Sequence, residues 1–246
     1  QKAEELAGRK GLPLLKVQHH HAHAASVMAE HGLESGIGVI FDGTGYGTDG
    51  HIWGGEFLLC RGAAFERAGH LSEIPLCGGD AAAKDANLTA ACHLADMSLP
   101  TLLREEIRER ILFVRKARSL RLNTEYSSSM GRLFDAVSAL LQIRESNSYE
   151  GECAIALENA AWRAKRRMEE RRRNEEAGQS GKTRPKEEQG QEEVAEQEAP
   201  DESFPALDFP IWEEDGVLVA ERNALIGKLL DWQNRTAGKE KERAED

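Results

Sequence analysis

Four histidines crowd into one short stretch, Gln18-His19-His20-His21-Ala22-His23. His19 and His23 are four residues apart. On a helix they share one face, so two imidazoles can converge on a single ion. Neutral imidazole suits zinc, iron, nickel and copper. His20 and His21 project elsewhere on the same helix. The competing reading is an affinity tag or a solvated polar run. Ala22 interrupts the histidines and ordinary sequence flanks them on both sides, which favours a metal or phosphate role. His31, His51, His70 and His93 are isolated and read as structural or exposed.

A second constellation is Asp42-Gly43-Thr44-Gly45-Tyr46-Gly47-Thr48-Asp49-Gly50. Gly45, Gly47 and Gly50 form a literal GxGxxG, but a dinucleotide fingerprint needs a helix after the turn. Here His51 to Leu59 reads as a strand, so the segment is a hairpin. Gly43-Thr44-Gly45 lets backbone N–H groups approach phosphate oxygens, and Asp42 can hold a metal beside them. An ordinary tight hairpin is the alternative, since Gly and Asp favour turns in any case. Further along, Ser127-Ser128-Ser129-Met130-Gly131-Arg132-Leu133-Phe134-Asp135 starts a helix. Ser129 is its expected cap, and Gly131 leaves the first turn open to an anion; a plain capped helix is the alternative. Tyr149-Glu150-Gly151-Glu152 opens another helix with carboxylates at its positive end. Leu76 to Asp80 is a loop into a helix, with Asp80 as the expected N-cap.

The elements that must position these groups follow from hydrophobic pattern. Residues 2–9 read as a helix, Leu14–Val17 as a short strand, and His20–Glu30 as a helix. Ile37–Phe41 is a near-continuous apolar run, which predicts a strand buried on both faces. Ile52–Leu59 and Phe65–Leu71 read as antiparallel strands. Ala81–Met97, Thr101–Lys116, Met130–Leu141 and Gly151–Arg167 read as helices. From 166 to 203 the chain is Glu, Lys, Arg and Gln with almost no large apolar residue. This predicts a solvated helix extension followed by disorder. Phe204–Trp212 recovers apolar content, and Ala220–Trp232 reads as an amphipathic helix with Leu225, Leu229 and Trp232 on one side. The tail from Lys239 is charged and expected to fray.

The chain has 246 residues and a net charge of -11, which argues against broad phosphate-driven nucleic-acid binding. Four cysteines without a CxxC pair suit a reducing compartment. The apolar runs fall far short of the ~20 residues of a membrane span, so the expected location is the cytoplasm. The first residue is Gln1 within helix-like sequence, which reads as a fragment.

Val17 to His23, Phe41 to Glu56, Gly78 to Asp80, Ser128 to Val137 and Tyr149 to Glu152 together resemble the HypF carbamoyltransferase family of [NiFe]-hydrogenase maturation, over about residues 1–160. The resembling part is the domain related to the universal tRNA threonylcarbamoyl transferase. The resemblance implies an α/β fold of actin-like, hexokinase-like (ASKHA) type, incomplete here and interrupted by the charged insert. It divides the chain into a partial metal- and nucleotide-binding domain (1–165), the low-complexity insert (166–203) and a helical continuation (204–246). It also implies that a separate YrdC-like domain makes carbamoyl-adenylate from carbamoyl phosphate and ATP. This domain then passes the carbamoyl group to the C-terminal cysteine of a HypE-like acceptor. By position, His19, His23 and Asp42 match the family's metal ligands, for zinc or iron. Gly43, Thr44 and Gly45 match its phosphate turn. Gly131, Asp135, Gly151 and Glu152 lie in motifs lining the nucleotide side. The upstream acylphosphatase, zinc-finger and YrdC-like parts are absent, as are the later Ser-Gly-Gly and Asp-Gly-Gly motifs. Lys84-Asp85-Ala86 stands where the family usually carries Pro-Trp-Arg. The alternatives are a related carbamoyl or threonylcarbamoyl transferase, and a metal-binding interaction module without activity.

Overall fold

The structure is a computed structural model that describes residues 2–99, 103–179 and 209–245. Helix α1 (Lys2–Lys10) buries no side chain, and α2 is His19–Glu30. Strands β1 (Ser35–Tyr46), β2 (Ile52–Arg61), β3 (Ala64–Leu71) and β4 (Ile74–Cys77) follow, then helices α3 (Asp80–Lys84), α4 (Ala86–Leu94) and α5 (Glu105–Ser119). Next come β5 (Thr124–Ser127), α6 (Met130–Leu140) and α7 (Glu152–Gln179), then β6 (Ile211–Glu214), β7 (Val217–Ala220) and α8 (Asn223–Glu245).

The seven strands form one mixed sheet in the order β4-β5-β2-β3-β7-β6, with β1 paired to the other side of β2. A main apolar core lies under β4, α4, α5, α6 and α8, around Ile74, Leu94, Ile107, Ile111, Leu133 and Ile226. A smaller core joins α2 to the β1–β2 hairpin through Ala24, Met28, Ile40, Trp53, Leu58 and Cys60. The four cysteines are buried and unpaired. Among the described residues no helix is long and apolar enough to cross a membrane.

Several expectations change. Leu14–Val17 is irregular and exposed rather than a strand. Strand β1 is not buried on both faces: Ile40 packs on α2, while Ile37, Val39 and Phe41 are exposed. Helix α2 covers one side of its apolar run, α6 touches only the bulge near Gly43, and among the described residues β1 pairs with β2 alone, so the run borders a sheet edge. The helix expected over Ala81–Met97 breaks at Asp85, which takes an extended conformation. Its carboxylate caps α4 by accepting from the Leu88 N–H and pairs with Arg110, and its backbone bridges to Ser146. Asp80 is not an N-cap; Gly79 holds that position with φ +55° and no side-chain bond. Strands β4 to β7 were not expected. Helix α7 runs on to Gln179, with side chains exposed from Ala161 to Asn174. The predicted disorder beyond it, and the start of Phe204–Trp212, lie outside the described residues. On α8 the buried face is Ile226, Leu229 and Leu230, with Leu225 beside it, one step round from the expected stripe.

Candidate metal centre

Gln18 caps α2, its side-chain oxygen accepting from the His21 N–H, so the helix begins at His19. That start sets all four histidines in the first turns. His19 and His23 lie one above the other, with their Nε2 atoms 3.1 Å apart. Asp42 approaches from the hairpin, its Oδ2 2.9 Å from His19 Nε2.

The hairpin delivers Asp42 by a bulge. Phe41 pairs with Gly55 and Gly45 pairs with Trp53, so Asp42, Gly43 and Thr44 together oppose only Gly54. Such an insertion re-aims side chains out of the pleat. Asp42 Oδ1 accepts from the Gly43 N–H at 2.6 Å. Burial works to raise the Asp42 pKa, but the Gly43 N–H and His19 outweigh it and hold the carboxyl below its ordinary value. At neutral pH it is an anion facing two imidazoles.

His20 is fully buried behind this pair, between Trp53 and His19. Its Nδ1 lies 3.2 Å from the Gln18 amide, and its Nε2, 3.7 Å from Asp42 Oδ2, has no hydrogen-bond partner. Burial pushes its pKa down, so it sits neutral. His21 stacks on Phe65 and reaches the Gly62 carbonyl, anchoring α2 to the β2–β3 turn. Gly45 allows the helix to rest on the strand: a Cβ there would lie 2.2 Å from His20 Cε1 and 2.8 Å from His19 Cδ2.

The donor atoms of His19, His23 and Asp42 all lie within 4.8 Å of one another. Two imidazole nitrogens and a carboxylate form a donor set that zinc and iron accept. The His19–His23 and His19–Asp42 spacings, 3.1 and 2.9 Å, are close to the roughly 3.3 Å edge of a tetrahedron with 2.0–2.1 Å bonds. The residues therefore fit a divalent metal. A second acidic group, Asp49, His51 and Glu73, also has clustered donors. It already contains a cation, because Arg67 NH1 lies 3.0 Å from Asp49 Oδ2 and 3.9 Å from Glu73.

The remaining predicted residues are placed differently. Gly131 does not open a turn to solvent; a Cβ there would lie 2.8 Å from Gly43 Cα, so its bareness lets α6 touch the bulge. Asp135 is buried, paired with Arg132 at 2.9 Å and accepting from Asn147. Burial raises its pKa against the pull of Arg132 and Asn147. Glu152 accepts from the Ser148 N–H and hydroxyl and pairs with Arg144, which keeps its carboxyl low. Gly151 turns the chain into α7 with φ +76°. Neither carboxylate joins the histidine cluster.

Sequence reasoning missed the support behind the site. Ser129 caps α6 as expected, accepting from the Arg132 N–H, but its hydroxyl also donates to the Gly43 carbonyl at 2.7 Å, which was not foreseen. Glu56, fully buried, accepts from the Gly54 and Gly55 N–H groups and the Ser128 hydroxyl, and pairs with Arg67 Nε at 2.7 Å. Arg67 lies over the Trp53 ring, 4.1 Å from its centroid. A glutamate inside Trp53-Gly54-Gly55-Glu56-Phe57-Leu58, where the pattern is otherwise apolar, was the available signal.

Comparison with known proteins agrees with this architecture. The family described as carbamoyltransferase, Kae1-like domain, second subdomain, matches residues 38–203, and the HypF Kae1-like domain matches residues 1–30. The chain is 48% identical over 166 residues to carbamoyltransferase HypF2 of Cupriavidus necator, covering 65% of this chain and 20% of that protein. It is 38% identical over 178 residues to the probable carbamoyltransferase HypF of Methanocaldococcus jannaschii, covering 66% and 22%. A crystal structure of full-length HypF in a phosphate- and nucleotide-bound form superposes with a TM-score of 0.63 at 35% identity, over 89% of this chain and 29% of that one. T. kodakarensis HypF gives 0.54 at 37% identity, over 65% and 23%. The chain thus spans about a fifth of the length of these curated relatives. It belongs to the HypF carbamoyltransferase family, within the Kae1-like region.

Proposed function

We propose that this chain forms the part of a HypF-type enzyme that receives carbamoyl-adenylate and passes the carbamoyl group to a cysteine thiol of a HypE-like acceptor in hydrogenase maturation, in the cytoplasm. In this reading residues 1–165 and 204–246 belong to one domain of actin-like (ASKHA) fold, and 166–203 is a charged insert. The observation that carries it is the convergence of His19, His23 and Asp42 beside the Gly43-Thr44-Gly45 bulge. A solved relative described as phosphate- and nucleotide-bound supports the choice of ligand class.

His19, His23 and Asp42 would hold a divalent metal, zinc or iron, which when bound supplies Lewis acidity and a phosphate anchor. Gly43 and Thr44, at the crest of the bulge, would present backbone to the phosphate side, while Gly45 and Gly131 let α2 and α6 pack against it. Asp135 and Glu152 act from behind, through their bonds to Arg132, Asn147 and Ser148. Trp53 and His20 close the inner side of the cluster to water. In the transfer, the acceptor sulfur bonds to the carbamoyl carbon as the carbon–oxygen bond to the phosphate breaks; AMP leaves with the electron pair of that bond, and the thiol proton passes to solvent.

The test compares metal content and adenylate affinity of the protein with those of a His19→Ala/His23→Ala double variant. About one metal per chain and metal-dependent adenylate binding, both lost in the variant, are expected. Metal content unchanged by the double substitution would overturn the site. Metal binding without any adenylate binding would favour an inactive metal-binding module.

A further inference from the structure

Arg222 is a fully buried guanidinium, and its two hydrogen bonds go to main-chain carbonyls rather than to a carboxylate. NH2 donates to the Ser127 carbonyl at 2.5 Å and NH1 to the Ser129 carbonyl at 3.3 Å. Burying a cation is costly unless its donors are well used. Here, among the described residues, NH1 and NH2 go to the Ser127-Ser128-Ser129 segment between β5 and α6, and Nε has no hydrogen-bond partner. The opposite side of that loop is gripped by a buried anion, since Glu56 accepts from the Ser128 hydroxyl.

The loop leads directly to the metal centre. Ser129 Oγ donates to the Gly43 carbonyl at 2.7 Å and lies 3.2 Å from the Asp42 carbonyl. The Gly43 N–H in turn holds Asp42 Oδ1, and Asp42 Oδ2 faces His19. An unbroken chain of hydrogen bonds and peptide bonds therefore joins Arg222 to the candidate ligand. Arg222 reaches this place because β7 pairs in parallel with β3 and the chain turns inward, the Arg222 N–H donating to the Ser72 hydroxyl. It lies beyond the 38–203 span matched by the family.

We propose that Arg222 is a positioning residue of the metal centre, fixing Asp42 against His19 through the Ser127–Ser129 loop. This rests on the metal reading given above. It makes the segment after the charged insert a structural part of the site rather than an appendage.

The experiment measures Co²⁺ affinity and the visible ligand-field spectrum of the bound ion in the intact protein. Wild type is compared with Arg222→Met, Arg222→Lys and Ser129→Ala, with folding checked by circular dichroism. Loss of an outer-shell partner costs roughly 10–100-fold in metal affinity. A loss of that size is expected in Arg222→Met and in Ser129→Ala, with a changed cobalt spectrum in both and partial recovery in Arg222→Lys. If Arg222→Met does not fold, Ser129→Ala and Arg222→Lys carry the test. Wild-type affinity and spectrum in folded Arg222→Met would overturn the assignment, as would an unchanged Ser129→Ala beside a weakened arginine variant. Failure of wild type itself to bind cobalt would instead refute the metal reading, and the positioning role with it.

Discussion

The substitution Gly45→Ala tests whether the histidine helix is seated on the bulge by the absence of a side chain. An added Cβ would stand 2.2 Å from His20 Cε1, about 1.2 Å inside the 3.4 Å at which ordinary contact begins. It would also stand 2.8 Å from His19 Cδ2 and 2.9 Å from His20 Nε2. His20 cannot swing away, because it is fully buried between Trp53 and its neighbours and tied to Gln18. The helix start must therefore lift as a unit, carrying His19 off Asp42. Forced overpacking of this kind costs about 1–3 kcal/mol, equivalent to roughly 2–12 °C in Tm for a chain of this size. A shift of that scale at a ligand should also weaken metal binding at least about tenfold. Gly36→Ala is the matched control, on the same strand with nothing within 4 Å of the added carbon. Thermal unfolding by circular dichroism and cobalt titration read both effects. A Gly45→Ala protein with the Tm and cobalt affinity of Gly36→Ala would refute the seating argument.

Three other outcomes follow from buried charge and the sheet edge. Glu56→Gln breaks the ion pair between a fully buried carboxylate and a part-buried Arg67 and should cost roughly 3 kcal/mol in urea unfolding; a change under about 1 kcal/mol would show that Asp49 alone satisfies Arg67. His93 is buried, and burial together with Arg222 holds its pKa well below the ordinary value. The folded state therefore stays neutral while the unfolded state takes up a proton, so stability is intact above about pH 6.5 and falls below it. The slope is up to about 1.4 kcal/mol per pH unit, and His93→Gln should flatten it in urea midpoints measured from pH 7 to 5. Val39→Thr, on the exposed face of β1, should leave stability within about 0.5 kcal/mol and lower light scattering at high protein concentration; unchanged scattering would mean that this edge does not drive association.

The pairing of His19 with His23 and the placing of Asp42 were each legible from local spacing, a four-residue step on a helix and an acidic residue at a glycine-rich hairpin, while their meeting in one cluster was what the family resemblance implied. The β1–β2 and β2–β3 pairings were legible from alternation and turn chemistry. Strand β4 was hidden by Pro75, which argues against a strand interior, and β5 by its brevity. The β6–β7 hairpin was open to discovery, since Asp215-Gly216 between apolar runs is a strong turn signal and both residues adopt positive φ. The burial of β1 was misjudged because an apolar run reports the need for a partner, not where the partner comes from. Ser129 was legible as the cap of α6, but its bond to the hairpin, like the roles of Glu56 and Arg222, stayed out of view because these contacts join residues up to 95 positions apart.

The candidate centre is closely packed from beneath at three bare backbone positions, Gly45, Gly54 and Gly131. A Cβ at Gly54 would lie 2.5 Å from the Asp42 carbonyl oxygen and 2.9 Å from Ser129 Cα, and one at Gly131 would lie 2.8 Å from Gly43 Cα. Those neighbours are main-chain atoms that have no rotamer to change. Asp42 is thus clamped between β2 and the N-terminus of α6, while His19 and His23 ride on a helix seated at Gly45. The carboxylate is the fixed member of the trio and the imidazoles are the adjustable ones. It follows that substitutions under the clamp, at Gly54, Gly131 or Ser129, should disturb metal binding more than substitutions of equal size on the outer face of α2, such as Val27→Ala, even though Val27 is nearer in sequence to the histidines.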